Sequence, residues 1–177
     1  MKKKTLALVL ALTLLVAGVV GGTLAWLTDQ TAEVKNTFTV GDINIDLTET
    51  TADYKMVPGN TITKDPTVTV KANSEACWLF VKVTESENLD TFITYAIADD
   101  WTVLPGVDGV YYREVPASAA DQTFSVLAGD AVTVKSDVTR TMLETAKTDA
   151  PTLTFKAYAI QKDHFATADA AWAEVSK

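Results

Sequence analysis

The sequence predicts an all-β protein, an antiparallel β-sandwich closed by a short C-terminal helix and preceded by an N-terminal hydrophobic signal helix. Three observations lead there. Apolar residues recur with a period of two through most of the body, the pattern of half-buried strands. Turn-forming residues interrupt that pattern every eight to twelve positions or so, the spacing of short sandwich strands. The N-terminus is different in kind, three lysines followed by an uncharged, mostly apolar run.

That run defines the first segment. Lys2, Lys3 and Lys4 precede apolar residues from Leu6 to Val20, and Gly21-Gly22 then breaks the helix. Thr23 and Ala25 are small residues two apart, the step a signal peptidase reads, which places the cut after Ala25 and makes Trp26 the first mature residue. A retained anchor is the competing reading, because Thr5 to Thr28 carries no charge and is long enough to span a bilayer. The glycine pair and the small-x-small step favour cleavage. Either way the lysines hold the N-terminus inside and the body faces outward. The chain therefore divides into a signal peptide (1–25), an N-terminal segment (26–36) and a sandwich domain (37–177). No cysteine stands near the cut, which excludes a lipoprotein signal.

The body is then read in order. Phe38 and Val40 alternate with threonines, and Ile43, Ile45 and Leu47 alternate with Asp42, Asn44 and Asp46, with a phase change at Gly41 that predicts a bulge or bend. Val57–Asn60 is a turn with Pro and Gly at its centre. Ile62, Val68 and Val70 share one phase, and Pro66 assigns their segment to an edge or bulged strand. Ala76–Thr84 is the most apolar stretch and predicts a central strand, with Cys77, Leu79, Val81 and Val83 on one face and Trp78 and Phe80 on the other. Asp90–Ala98 fits a short helix or a strand. Trp101–Leu104 and Val110–Val115 flank the turn Pro105–Gly109 as a hairpin. Phe124–Leu127 and Val132–Val134 flank a further turn. Leu143 lies in a segment whose type the pattern leaves open. Thr152–Gln161 alternates cleanly, and Ala168, Ala171, Trp172 and Val175 have helical spacing.

Charge and composition remove several functions. The chain carries a net charge of -8 with three lysines confined to the leader, so the body is more acidic still. Such a surface repels phosphate, and no nucleic-acid partner is expected. One histidine, His164, and one cysteine, Cys77, cannot build a zinc site or a histidine-based triad with alternatives to spare. No cofactor, metal or catalytic residue is expected, and the chain reads as a non-enzyme. Cys77 sits in the densest apolar run and reads as a buried structural thiol; His164 reads as a surface residue. Asp42, Asn44 and Asp46 match the opening of a calcium loop, but Leu47 replaces its glycine and Asp53 its closing glutamate. The solvated face of a strand is the better reading.

Residues Gly21–Leu47, with Gly21, Gly22, Thr23, Asp29, Asn36, Phe38 and Gly41 at matching places, resemble the N-terminal signature of the TasA/camelysin family of exported proteins. Met56–Val83 is similar to the family's next block, and Phe155–Trp172 to the close of its small members. The family aromatic after the cut falls one place early here, at Trp26. The resemblance implies a jelly-roll-like sandwich, cleavage by a signal peptidase of the SipW type, membrane association only through the uncleaved signal, and a secreted life at the cell surface or in a biofilm matrix. It further implies a homo-oligomeric fibre in which the new N-terminal segment adds a strand to the next subunit, with Trp26, Leu27 and Val34 as donor anchors. Pairing of that segment within its own domain, or a flexible leader, are the alternatives. A monomeric surface-binding protein, marked by an exposed aromatic cluster at Trp101, Tyr111 and Tyr112, and a camelysin-type metalloprotease are the competing functions.

Overall fold

Ten strands form among residues 42–50 and 54–177, which the computed structural model describes. They are β1 (Ile45–Thr48), β2 (Thr61–Thr63), β3 (Thr67–Val70), β4 (Cys77–Glu85), β5 (Ile93–Thr94), β6 (Thr102–Val103), β7 (Val110–Val115), β8 (Gln122–Ser125), β9 (Ala131–Val134) and β10 (Leu153–Gln161). Three short helices, α1 (Leu89–Phe92), α2 (Arg140–Ala146) and α3 (Ala168–Val175), lie between or after them. The strands pair antiparallel into three sheets, β1-β3-β8, β10-β4-β7-β6 and β2-β9-β5. The signal segment, Phe38, Val40 and Gly41, the cleavage residues Thr23, Ala25 and Trp26, and the donor residues Leu27 and Val34 lie outside the described residues.

The alternation in β4 organises the packing. Cys77, Leu79, Val81 and Val83 enter one core with Val68 and Val70 of β3, Val115 of β7, Trp101 and Val126. The first two sheets thus share an apolar layer. On the other face, Trp78 and Phe80 meet Val110 and the α3 residues Ala168, Ala171 and Trp172. The Trp172 ring lies 5.3 Å from Phe80 and 5.2 Å from Tyr158, the latter edge-on. Burial of each large side chain contributes roughly 1.5–3 kcal/mol, so this aromatic layer is what seats the helix. Its start is fixed by Thr167, whose hydroxyl accepts from the Ala170 N–H at 3.3 Å. Trp78 also donates its indole N–H to the Phe165 carbonyl at 3.0 Å, anchoring the turn before the helix.

Several readings of the sequence are refined. Pro66 points in the sequence to an edge or bulged strand, yet β3 is central in its sheet. Proline sits just before the ladder, so no ladder donor is lost, and its carbonyl accepts from the Val126 N–H at 2.9 Å. Ile62 and Val68, which share a phase, belong to different sheets, because the chain changes sheet at Lys64–Pro66. The ambiguous Asp90–Ala98 stretch divides, with α1 running directly into β5. The untyped segment around Leu143 is α2, capped by the Thr139 hydroxyl and packed through Ala146, Met142 and Leu143 against Phe92 and Val138. The Val57–Asn60 turn forms as read, with Asn60 N–H donating to the Val57 carbonyl at 3.0 Å and Gly59 at φ 78°.

The β6–β7 hairpin turns on two left-handed glycines, Gly106 (φ 74°) and Gly109 (φ 66°). They differ in surroundings. A Cβ at Gly106 would meet nothing within 4 Å, whereas one at Gly109 would lie 2.4 Å from the Val83 carbonyl oxygen. Val83 in turn donates its N–H to the Gly109 carbonyl at 2.8 Å, so the turn cannot move away without losing that bond. Gly106→Ala is expected to cost about 1–2 kcal/mol, the penalty of the left-handed backbone alone. Gly109→Ala is expected to cost clearly more, and urea unfolding of the two variants side by side checks the difference.

Candidate strand-acceptor site

The nine-residue strand β10 pairs with β4 along its whole length, Leu153 opposite Glu85 through Gln161 opposite Cys77. Two flanking bonds fix which residues face β4. Lys162 N–H donates to the Ala76 carbonyl at 2.9 Å, and Ser86 N–H donates to the Thr152 carbonyl at 3.0 Å. In an antiparallel ladder, paired and unpaired positions alternate. Thr154, Lys156, Tyr158 and Ile160 therefore exchange bonds with β4, while Leu153, Phe155, Ala157 and Ala159 aim their N–H and C=O groups away from it. No backbone bond from a described residue reaches those groups. Lys156 is the single charge on the strand. Natural edges are usually short, charged or covered; this one is nine residues long, carries the one charge of Lys156 and has β1 beside its start.

Two hollows flank the first half of β10 and share Leu153 and Thr154 as lining. One, of about 280 Å³, opens between β1 and β10 and is walled by Leu47, Pro66 and Phe155. The other, of about 440 Å³, lies over the inner face of the β2-β9-β5 sheet and is walled by Met56, Ile62, Ile93, Val132 and Leu153. Together they make a trough of mixed polarity beside Leu153 and Phe155, with Lys64, Glu49 and Thr154 among its walls as well as apolar side chains.

A polar cluster stands where the hollows meet. The Lys64 residue is 8% exposed. Its ammonium lies 2.6 Å from Glu49 Oε1, 4.9 Å from the Tyr54 ring centre and 5.4 Å from that of Phe155. A buried cation requires such compensation. Tyr54 Oη donates to Glu49 Oε1 at 2.8 Å. Desolvation, then the bond to Glu49, raises the Tyr54 pKa, so the hydroxyl stays a donor. Next to it, hydrogen bonds from the Thr50 hydroxyl and N–H hold the Asp65 carboxyl below its usual range. The cluster pins the end of β1 to the segment between β2 and β3.

The residues weighed from sequence for other chemistry are dispersed. His164 is exposed in the 3-10 turn Lys162–His164. Cys77 is buried, and desolvation pushes its thiol up to about 11, away from nucleophilic use. Asp42 accepts from Ile43 N–H and from the Asn44 side-chain amide, both at 2.9 Å, and Asp46 pairs with Lys71 at 2.8 Å. The calcium-like triplet is thus spent on the local turn and a neighbouring strand. Trp101 and Tyr111 pack into the core between the first two sheets and Tyr112 into the layer under α3, so they form no exposed aromatic cluster. Among the described residues no helix is long and apolar enough to cross a membrane.

Residues 1–77 match the family model of the camelysin metallo-endopeptidases. The camelysin match supports the TasA/camelysin resemblance and ends at Cys77, where β4 begins. The match covers residues 1–77 of 177, less than half of the chain, and over them the chain is similar to that family. No curated protein and no solved structure matches it. The camelysin description implies a catalytic metal. The described residues do not fit one, since no three His, Cys, Asp or Glu side chains among them converge.

Sequence reading finds β10 as a strand but not as an edge, because pairing is set by the whole chain. Lys64 does not stand out there; a lysine flanked by threonine and Asp-Pro carries no sign of burial. The Cys77 thiol gives a measurable consequence. Its pKa in the unfolded chain is about 8.5, and the folded value is about 11. The folded state therefore holds its proton longer, and the contribution is complete below the unfolded value and lost as pH rises through the folded one. Urea unfolding from pH 8 to pH 11 is expected to show a steeper fall in stability for the native sequence than for Cys77→Ala.

Proposed function

We propose that this chain is an exported structural subunit of the cell surface or extracellular matrix that assembles into fibres by strand addition. On this reading the N-terminal signal helix is removed after Ala25 by a signal peptidase of the SipW type. The mature domain is a jelly-roll-like sandwich without enzymatic activity. The segment Trp26–Asn36 of one copy adds to the outward edge of β10 in the next. The observation that carries the reading is that edge, four residues in alternate positions whose outward backbone groups no described residue meets, with two hollows beside its first residues. An added strand gains main-chain hydrogen bonds from such a row and places alternate side chains in the hollow beside it. The camelysin match over the leader and the first strands supports export.

The edge can be disabled without touching the ladder to β4. Ala157 directs its N–H outward, so Ala157→Pro removes a donor that no described residue uses and blocks an incoming strand. Electron microscopy of the mature protein is expected to show fibres for the native sequence and dispersed particles for Ala157→Pro, with the β-sheet circular dichroism of both alike. Fibres formed equally by both proteins would defeat the reading.

A further inference from the structure

Among the described residues three carry sulfur, Met56, Cys77 and Met142. Cys77 is sealed in the core between the first two sheets. The two thioethers are placed differently. Both pack, half-buried, against the cluster of Phe92, Val134, Val138 and Ala146, which joins β9 to α2. Met142 has a second task. Its Sδ accepts the Thr139 N–H at 3.4 Å, while Thr139 Oγ1 accepts the Met142 N–H at 3.3 Å. This reciprocal capping box has a thioether where glutamate or glutamine usually stands. Sulfur is a weak acceptor, and the exposed Thr139 places this end of the helix at the surface.

The helix leans on this residue twice. At seven residues α2 is too short to be stable alone. Its apolar contacts come from Met142, Leu143 and Ala146, so Met142 serves both the cap and the packing. Beyond the helix the chain is fixed again. Asn88 Nδ2 donates to the Asp149 carbonyl at 3.0 Å, and Thr152 N–H donates to Ser86 Oγ at 2.8 Å. The stretch between Thr139 and Asp149 can therefore loosen as a unit while the strands around it stay paired.

We propose that Met142 is a reversible oxidation site for peroxides and that its sulfoxide uncaps α2. In the step the sulfur gives an electron pair to one oxygen of hydrogen peroxide and the O–O bond breaks. The departing hydroxide takes the proton of the transferred oxygen and leaves as water. The sulfur lone pair on the Thr139 side is engaged, so the free one reacts. The sulfoxide sulfur is electron-poor and no longer accepts the Thr139 N–H. Its oxygen makes the side chain polar where it meets the apolar cluster, so cap and contact weaken together. Met56 lines a hollow and takes no part in the cap, so its oxidation leaves the start of α2 in place. The proposal concerns α2 alone and holds whether or not the chain forms fibres.

The experiment treats the full mature chain, Met56→Leu and Met142→Leu with dilute hydrogen peroxide. Peptide mass spectrometry locates each added oxygen, and amide hydrogen exchange is compared before and after treatment. In the native chain Met142 is expected to gain one oxygen, and amides from Thr139 to Ala146 to exchange about tenfold faster, the effect of one lost helix cap. Tyr158, inside the β4–β10 ladder, is expected to exchange as before. Met56→Leu is expected to respond like the native chain, and Met142→Leu to show no peroxide-dependent change in α2. Methionine sulfoxide reductases with a dithiol, which is oxidised to a disulfide as water is released, are expected to restore the slow exchange. A Met142 that stays a thioether while Met56 is oxidised would overturn the proposal. So would a Met142 sulfoxide with α2 exchange unchanged or with Tyr158 accelerated equally, an equal peroxide response in Met142→Leu, or a change the reductases do not reverse.

Discussion

The ladder between β4 and β10 is the interaction on which the rest of the structure depends. It runs the full nine residues of both strands. Its phase sends Leu79, Val81 and Phe155 into one core and Phe80 and Tyr158 into another. The same phase decides which backbone groups of β10 are satisfied and which point away. Backbone donors and acceptors are strong and obligatory, so the outward groups of β10, which no described residue meets, would favour an added strand. Fold and site are in this sense one fact: the pairing that builds the core also builds the edge.

One partly buried ion pair stands where the two hollows meet. Six of the seven ion pairs among the described residues bring together side chains at least one of which is half exposed or more, and these contribute little. Lys64 and Glu49 are different, with side chains 10% and 24% exposed and two aromatic rings around the ammonium. Removing one partner of such a pair strands the other in apolar surroundings, so the pair constrains geometry more than it adds stability. By tying the end of β1 beside β2 it fixes the saddle between the two hollows.

The strands are legible in the sequence because their alternation is local. Ala76–Thr84 announces a central strand, Thr152–Gln161 a half-buried one and Ala168–Val175 a helix, and each forms close to its expected bounds. Sheet membership is not legible. Ile62 and Val68 share a phase yet part company at Pro66, because the register of a strand belongs to its partners. The helix at Arg140–Ala146 is hidden because its apolar face is only Met142, Leu143 and Ala146, too short for periodicity. The candidate site is half visible. The proposed donor segment is placed by the resemblance around the cleavage junction, while the proposed acceptor edge exists only once β10 has paired with β4.

The most direct test of the account is amide-resolved hydrogen exchange in β10, compared between dilute monomer and assembled protein. The account predicts that Thr154, Lys156, Tyr158 and Ile160 are protected in both states. It predicts that Leu153, Phe155, Ala157 and Ala159 exchange freely in the monomer and become protected on assembly. Outward amides that exchange equally fast in both states would contradict it.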